Sequence, residues 1–138
     1  MTDVPFIPVR DVMAAEPAHI DGMATVSDAL AVMRARNISS LVIDRRDERD
    51  EYGIVLVGDI AREVINGNRP ASRTNVYQVM TKPAPTLDAD MNIRYAIRQM
   101  TAHGLTHCLV LRGRQLAGVV TLRDLTLRYI EASEGAAR

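Results

Sequence analysis

Thr121 and Asp124 stand three residues apart, where an apolar run, Gly118-Val119-Val120, gives way to a helical pattern. Leu122, Leu125 and Tyr129 recur near one face of that pattern. A strand that runs straight into a helix aims backbone N–H groups and the positive end of the helix dipole at one spot, which suits an anion. Thr121 adds a hydroxyl there, and Asp124 adds a carboxylate of the kind that accepts paired ribose hydroxyls. The stretch reads as half of a nucleotide pocket. The same Thr-x-x-Asp spacing also fits a capping box, and on the motif alone capping is the simpler reading.

Other chemistry finds less support. His103, His107 and Cys108 cluster, but Gly104 breaks the helix that would set the two histidines on one face, and no Cys-x-x-Cys occurs. No metal site is expected. With no glycine-rich phosphate loop and no nucleophile–base constellation, the chain does not read as an enzyme. The Arg45–Glu51 run reads as a solvated hairpin tip, and Arg10, Arg62 and Arg128 as solvent-facing. Asp88 and Asp90 precede a helix and complement its dipole.

At 138 residues the chain makes one compact unit or two very small ones. It is 47% hydrophobic and 25% charged, which excludes a mainly disordered chain. One Phe and no Trp leave an aliphatic core. Seventeen basic residues against seventeen acidic ones create no field favouring nucleic acid or an acidic membrane. A single cysteine suits a reducing compartment, and neither a membrane span nor a signal peptide is read. These features together give the expectation of a soluble, cytoplasmic protein.

The elements that must position the Thr121–Asp124 stretch occur twice. Met1–Pro8 reads as an extended lead-in and Val9–Met13 as a short apolar turn. Ile20 marks a short strand, and Thr25 caps a helix with Val26, Ala29, Leu30 and Met33 on one face. Asn37 tolerates the left-handed stop. The strands Leu41–Ile43 and Ile54–Val57 follow, and Gly58-Asp59 opens a helix through Ile65. After a turn-rich stretch the pattern restarts. Val79-Met80 repeats Val12-Met13, Leu87 repeats Ile20, and Asn92 caps Ile93, Ala96, Ile97 and Met100. Gly104 then takes the place of Asn37. The offset is 67 from Val12/Val79 to Ile38/Leu105 and 65 at Gly53/Gly118 and Asp59/Asp124, so the first hairpin carries two extra residues. This is a duplication. It gives repeats 9–66 and 76–131, a linker 67–75, and a disordered tail from Ser133 to Arg138. The expected fold is α/β (mixed α+β). Two β-α-β-β-α units pack through their sheets with pseudo-two-fold symmetry, each with a right-handed crossover and a hairpin.

The repeat resembles the CBS domain, named after cystathionine β-synthase, and the chain from Val9 to Glu131 resembles a tandem pair. The residues that carry this are Val79-Met80-Thr81, Ala96 with Met100, and Gly118 to Asp124. In the first repeat they are Val12-Met13-Ala14, Ala29 with Met33, and Gly53 to Asp59. The resemblance implies a regulatory module that binds AMP, ADP, ATP, S-adenosylmethionine or NAD in the cleft between repeats. It also implies homodimers and a regulated protein partner. Carried over residue by residue, it places Asp124, Thr121 and Arg123 opposite His19, Ile20, Ala24, Ile38 and Ser39 in a main site. Asp59 and Gly58 stand opposite Leu87, Leu105, Thr106 and His107 in a weaker second site. The second is weaker because Leu56 replaces the threonine. Both repeats lack the proline that relatives often carry in the strand after the first helix. The alternative is a ligand-free dimerisation scaffold in which Thr121 and Asp124 only cap a helix.

Overall fold

The structure, a computed structural model, describes residues 4–136. Its strands are β1 (Ala14–Ala15), β2 (His19–Ile20), β3 (Ser40–Ile43), β4 (Gly53–Leu56), β5 (Thr86–Asp88), β6 (His107–Arg112) and β7 (Gln115–Thr121). Its helices are α1 (Val26–Arg36), α2 (Val57–Ile60), α3 (Ile93–Ala102) and α4 (Leu122–Ala136). A wider π turn, Ala61–Ile65, continues α2. The chain forms two compact units, one of Pro17–Ala84 and one of Met1–Glu16 with Pro85–Arg138.

In the Pro17–Ala84 unit the sheet order is β2-β3-β4, parallel and then antiparallel. This is the expected crossover followed by a hairpin. Thr25 caps α1 in a closed box: its Oγ1 accepts from the Asp28 N–H and the Asp28 carboxylate accepts from the Thr25 N–H, both at 3.1 Å. Asn37 ends the helix at φ 52°. Val26, Ala29 and Met33 are buried against Leu41, Ile43 and Val55.

The other unit repeats the plan with β5 parallel to β6, β6 antiparallel to β7, and β1 added on the outer side of β7. Asn92 caps α3, and Gly104, at φ 64°, follows it. Ile93, Ala96, Met100, Val110, Val120 and Leu125 form the aliphatic core expected of a chain so poor in aromatic residues.

Three boundaries differ from the sequence reading. The lead-in of each repeat belongs to the compact unit that holds the other repeat's hairpin. Ala14 and Ala15 pair with Val119 and Gly118, and Thr81 bridges to Ile54. Two glycines in phase make room for this. A side chain at Gly118 would meet the Ala14 carbonyl and Met13 Sδ, and one at Gly53 would meet Met80 Sδ. Second, the end of the 67–75 linker is hydrogen-bonded to the start of α1. The Thr74 carbonyl accepts from the Val26 N–H at 2.8 Å, Asn75 Nδ2 donates to the Met23 carbonyl at 2.8 Å, and Thr74 is buried. Third, α4 continues through the stretch read as a tail, because Ala132 packs with Tyr129 on the core and Glu131 and Glu134 are good helix formers. Ala137–Arg138 of that expected tail and Met1–Asp3 of the lead-in lie outside the described residues.

Candidate functional site

Strand β7 ends at Thr121 and α4 begins at the next residue, so the Thr121–Asp124 turn is the strand-to-helix junction that the sequence implies. Thr121 Oγ1 accepts from the Asp124 N–H at 3.1 Å, which is a helix cap. The cap leaves the carboxylate outward. Asp124 Oδ1 lies 3.3 Å from Nη1 of Arg123, and its side chain is 51% exposed. The register of β6 against β7 sets His107 directly opposite Thr121. Thr106 is tied to the same junction, since its carbonyl accepts from the Leu122 N–H at 2.9 Å and its hydroxyl lies 2.9 Å from His107 Nδ1. Burial pushes the His107 pKa below the ordinary histidine value, while the nearby Asp124 carboxylate pushes it up. The turn therefore gathers a hydroxyl, an outward carboxylate and an imidazole around a helix N-terminus.

The corresponding turn in the first repeat is closed. Asp59 is buried, with its side chain 10% exposed and both carboxylate oxygens engaged. Oδ2 accepts from the Leu56 N–H at 3.0 Å and Oδ1 accepts from Nη2 of Arg62 at 2.9 Å. This pairing raises the Arg62 pKa above its usual value. Arg62 is solvent-exposed, as read from sequence, and is also an ion-pair partner one helical turn from Asp59. Leu56 is half-buried at the end of β4 rather than part of the core, and Gly58 is exposed. The Ser39 carbonyl accepts from the Val57 N–H at 3.0 Å, as Thr106 does for Leu122.

The other expected ligand contacts are spread through the two units. Thr106 and His107, grouped with Asp59 by the resemblance, stand beside Thr121 within one unit. Leu87 is buried in the core of that unit and Leu105 packs against it. In the other unit Ala24 and Ile38 pack on the core, and Ser39 lies beside the start of α2. His19 pairs with Val42 in β3, three residues beyond Ser39, which precedes the strand.

His19 and Ile20 line a pocket of about 820 Å³ within the Pro17–Ala84 unit, together with Met23, Ile43, Tyr77 and Met80. Its rim carries Arg45, Arg46 and Lys82. Arg45 lies over the Tyr52 ring, while Arg46 Nε at 3.1 Å and Lys82 Nζ at 2.7 Å converge on Oδ2 of Asp50. The Lys82 ammonium first, then the Arg46 backbone N–H and with a smaller effect its guanidinium, hold the Asp50 carboxyl far below the usual aspartate range. The hairpin tip is solvent-exposed from Arg46 to Arg49, as expected, and is anchored at Asp50. His19 Nδ1 lies 2.8 Å from Asp44. Arg10, also read as solvent-facing, pairs with Asp90. Cys108 is buried, with its thiol pushed up to about 11 by desolvation. No helix among the described residues is long and apolar enough to cross a membrane.

Comparison with known proteins adds an independent line. A family model of the CBS domain matches residues 9–66 and 76–131. The uncharacterized protein YlbB of Bacillus subtilis is 25% identical over 119 residues, covering 86% of this chain and 80% of its own length. A 33.4 kDa protein encoded in a ribosomal RNA operon of Thermofilum pendens is also 25% identical, but this chain spans only 43% of it. Among solved structures, the hexameric CBS-CP12 protein of bloom-forming cyanobacteria superposes with a TM-score of 0.85 at 26% identity, over 89% of this chain and 71% of that one. The CBS domain pair of protein MJ0100, in complex with 5′-methylthioadenosine and S-adenosyl-L-methionine, superposes at 0.78. Its identity is 21%, over 92% of this chain and 98% of that one.

Proposed function

The chain belongs to the CBS domain family and carries two copies, and from that premise we propose that it is a regulatory module for an adenosine-containing ligand. The observation that carries the proposal is the Asp124 carboxylate, half exposed at the N-terminus of α4 beside Thr121, Thr106 and His107. In this reading Asp124 accepts the ribose hydroxyls. The α4 amides, the Thr121 hydroxyl and His107 face the phosphate or its equivalent. The MJ0100 domain pair with its two adenosyl ligands supports this ligand class for the fold. Occupancy is passed to a separate protein partner or through self-association, as the hexameric CBS-CP12 relative makes reasonable. The chemistry proposed is recognition rather than catalysis.

A second reading is favoured by one hydrogen bond, from the Asp124 N–H to Thr121 Oγ1, which is that of a plain helix cap. Here the chain is a ligand-free scaffold. A thermal-shift panel of AMP, ADP, ATP, S-adenosylmethionine and NAD separates the two. A ligand at a hundred times its dissociation constant stabilises by about 2.7 kcal/mol. The sensor reading predicts a shift with at least one of the five that Asp124→Ala abolishes. Flat melting curves with all five would leave the scaffold.

A further inference from the structure

Sixty-five residues beyond Arg62, in phase with the repeat, stands Leu127. We infer that Arg62 locks the Asp59 turn against a ribose, so that the chain takes one adenosyl ligand and takes it at Asp124. The inference rests on the reading of Asp124 given above. A ribose diol donates two hydrogen bonds to one carboxylate. At Asp59 both oxygens are already engaged, one by the Leu56 N–H and one by the Arg62 guanidinium. A ribose arriving there must compete with a charge-assisted bond for the remaining lone pairs of a carboxylate that is nearly out of solvent.

At Asp124 the residue three positions on is an exposed leucine with no donor to offer. The neighbouring Arg123 reaches the carboxylate at 3.3 Å against 2.9 Å for Arg62. Both guanidiniums are largely in water, but the Asp124 side chain is 51% exposed where that of Asp59 is 10%, so the Asp124 pair opens at less cost. The hydroxyl difference between Thr121 and Leu56 acts in the same direction. Each turn carries a cation, but only at Asp59 is the paired carboxylate buried.

The lock can be moved by exchanging the two residues. Isothermal titration with each of AMP, ADP, ATP, S-adenosylmethionine and NAD is run on the wild type, on Leu127→Arg, on Arg62→Leu and on the double variant Leu56→Thr/Arg62→Leu. The wild type should bind near one ligand per chain. Leu127→Arg, at an exposed position that leaves folding intact by circular dichroism, should weaken binding roughly tenfold or more as the new guanidinium takes the Asp124 carboxylate. Arg62→Leu, or the double variant that gives the first repeat the second repeat's residues, should raise the stoichiometry toward two. A wild type near two overturns the lock while the nucleotide reading stands. So does unchanged affinity in Leu127→Arg, or a stoichiometry of one in both opened variants. Absence of binding by all four proteins overturns both.

Discussion

Replacing Gly118 with alanine should damage this fold more than the same change at either glycine compared with it below. A Cβ at position 118 would lie 2.5 Å from the Ala14 carbonyl oxygen, 2.8 Å from Met13 Sδ and 3.1 Å from Met13 Cγ. The methionine arm can turn away, but the carbonyl cannot, because Ala14 and Ala15 are held in register with Val119 and Gly118. Admitting the methyl means pushing β1 off β7 by most of an ångström, and overpacking of that kind costs about 1–3 kcal/mol. The upper half of that range is expected here, since the nearest clash is with backbone. At Gly53 the nearest atom is Met80 Sδ at 3.2 Å, the end of a flexible side chain, with Ile43 and Thr81 at ordinary contact. Gly53→Ala should cost less than about 1 kcal/mol. At Gly58, in the first turn of α2, nothing lies within 4 Å. Gly58→Ala should be neutral or stabilising by up to about 1 kcal/mol, because alanine loses less backbone freedom in a helix. Guanidinium denaturation followed by circular dichroism, with the slope checked for constancy, reads these differences as midpoint shifts. A Gly118→Ala protein within about 0.5 kcal/mol of wild type, or a Gly53→Ala protein that suffers more, refutes the lead-in argument.

Four further outcomes are expected. Cys108, buried and with its thiol raised to about 11, should resist a disulfide reagent at pH 8 in the native protein and react at once in guanidinium. His107 should titrate below 6.5 by NMR, and Asp124→Asn should lower it further by removing the carboxylate that supports its charged form. A depressed histidine is harder to protonate folded than unfolded, so stability should fall as pH drops through 6.5. His107→Gln should flatten that slope. Asp50→Asn should lower the denaturation midpoint at pH 7 by stranding Lys82 and Arg46. Because the Asp50 pKa is depressed in the fold, its contribution is present above the ordinary aspartate value and lost in acid, so the two proteins should converge as pH falls below about 4. Thr25→Ala should cost about 1 kcal/mol by urea denaturation, opening the box with Asp28.

What could be read from the sequence was local. The caps at Thr25 and Asn92, the stops at Asn37 and Gly104, and the buried faces of α1 and α3 each rest on residues within a turn or two of one another. Their recurrence in phase revealed the duplication. The exchange of lead-ins is a longer-range matter, because a two-residue strand such as Ala14–Ala15 carries no pattern that says which hairpin it joins. A signal did exist in the paired glycines. Gly53 and Gly118 sit inside apolar strands, where glycine marks close approach by another segment, and each is in phase with a methionine that fills the space.

The candidate site divides in the same way. Thr121, Asp124, Asp59 and the strand-to-helix junctions were legible because the chemistry and its frame are contiguous. Arg62 stood at helical spacing from Asp59, and that spacing alone suffices to suggest the ion pair. Asp50 and Lys82 lie 32 residues apart, and Tyr77 and Met80 reach the pocket beside His19 only through tertiary folding. No local rule gives those contacts.

The account is tested most directly by mapping where an adenine nucleotide touches the chain. In a titration with AMP followed by amide chemical shifts, the largest changes should fall on Thr106, His107 and Thr121 to Asp124, with Leu56 to Asp59 moving less. Shifts concentrated instead on Ile20, Met23 and Tyr77 would contradict the assignment to the start of α4, and a spectrum unmoved by AMP and equally by ADP, ATP, S-adenosylmethionine and NAD would contradict the sensor itself.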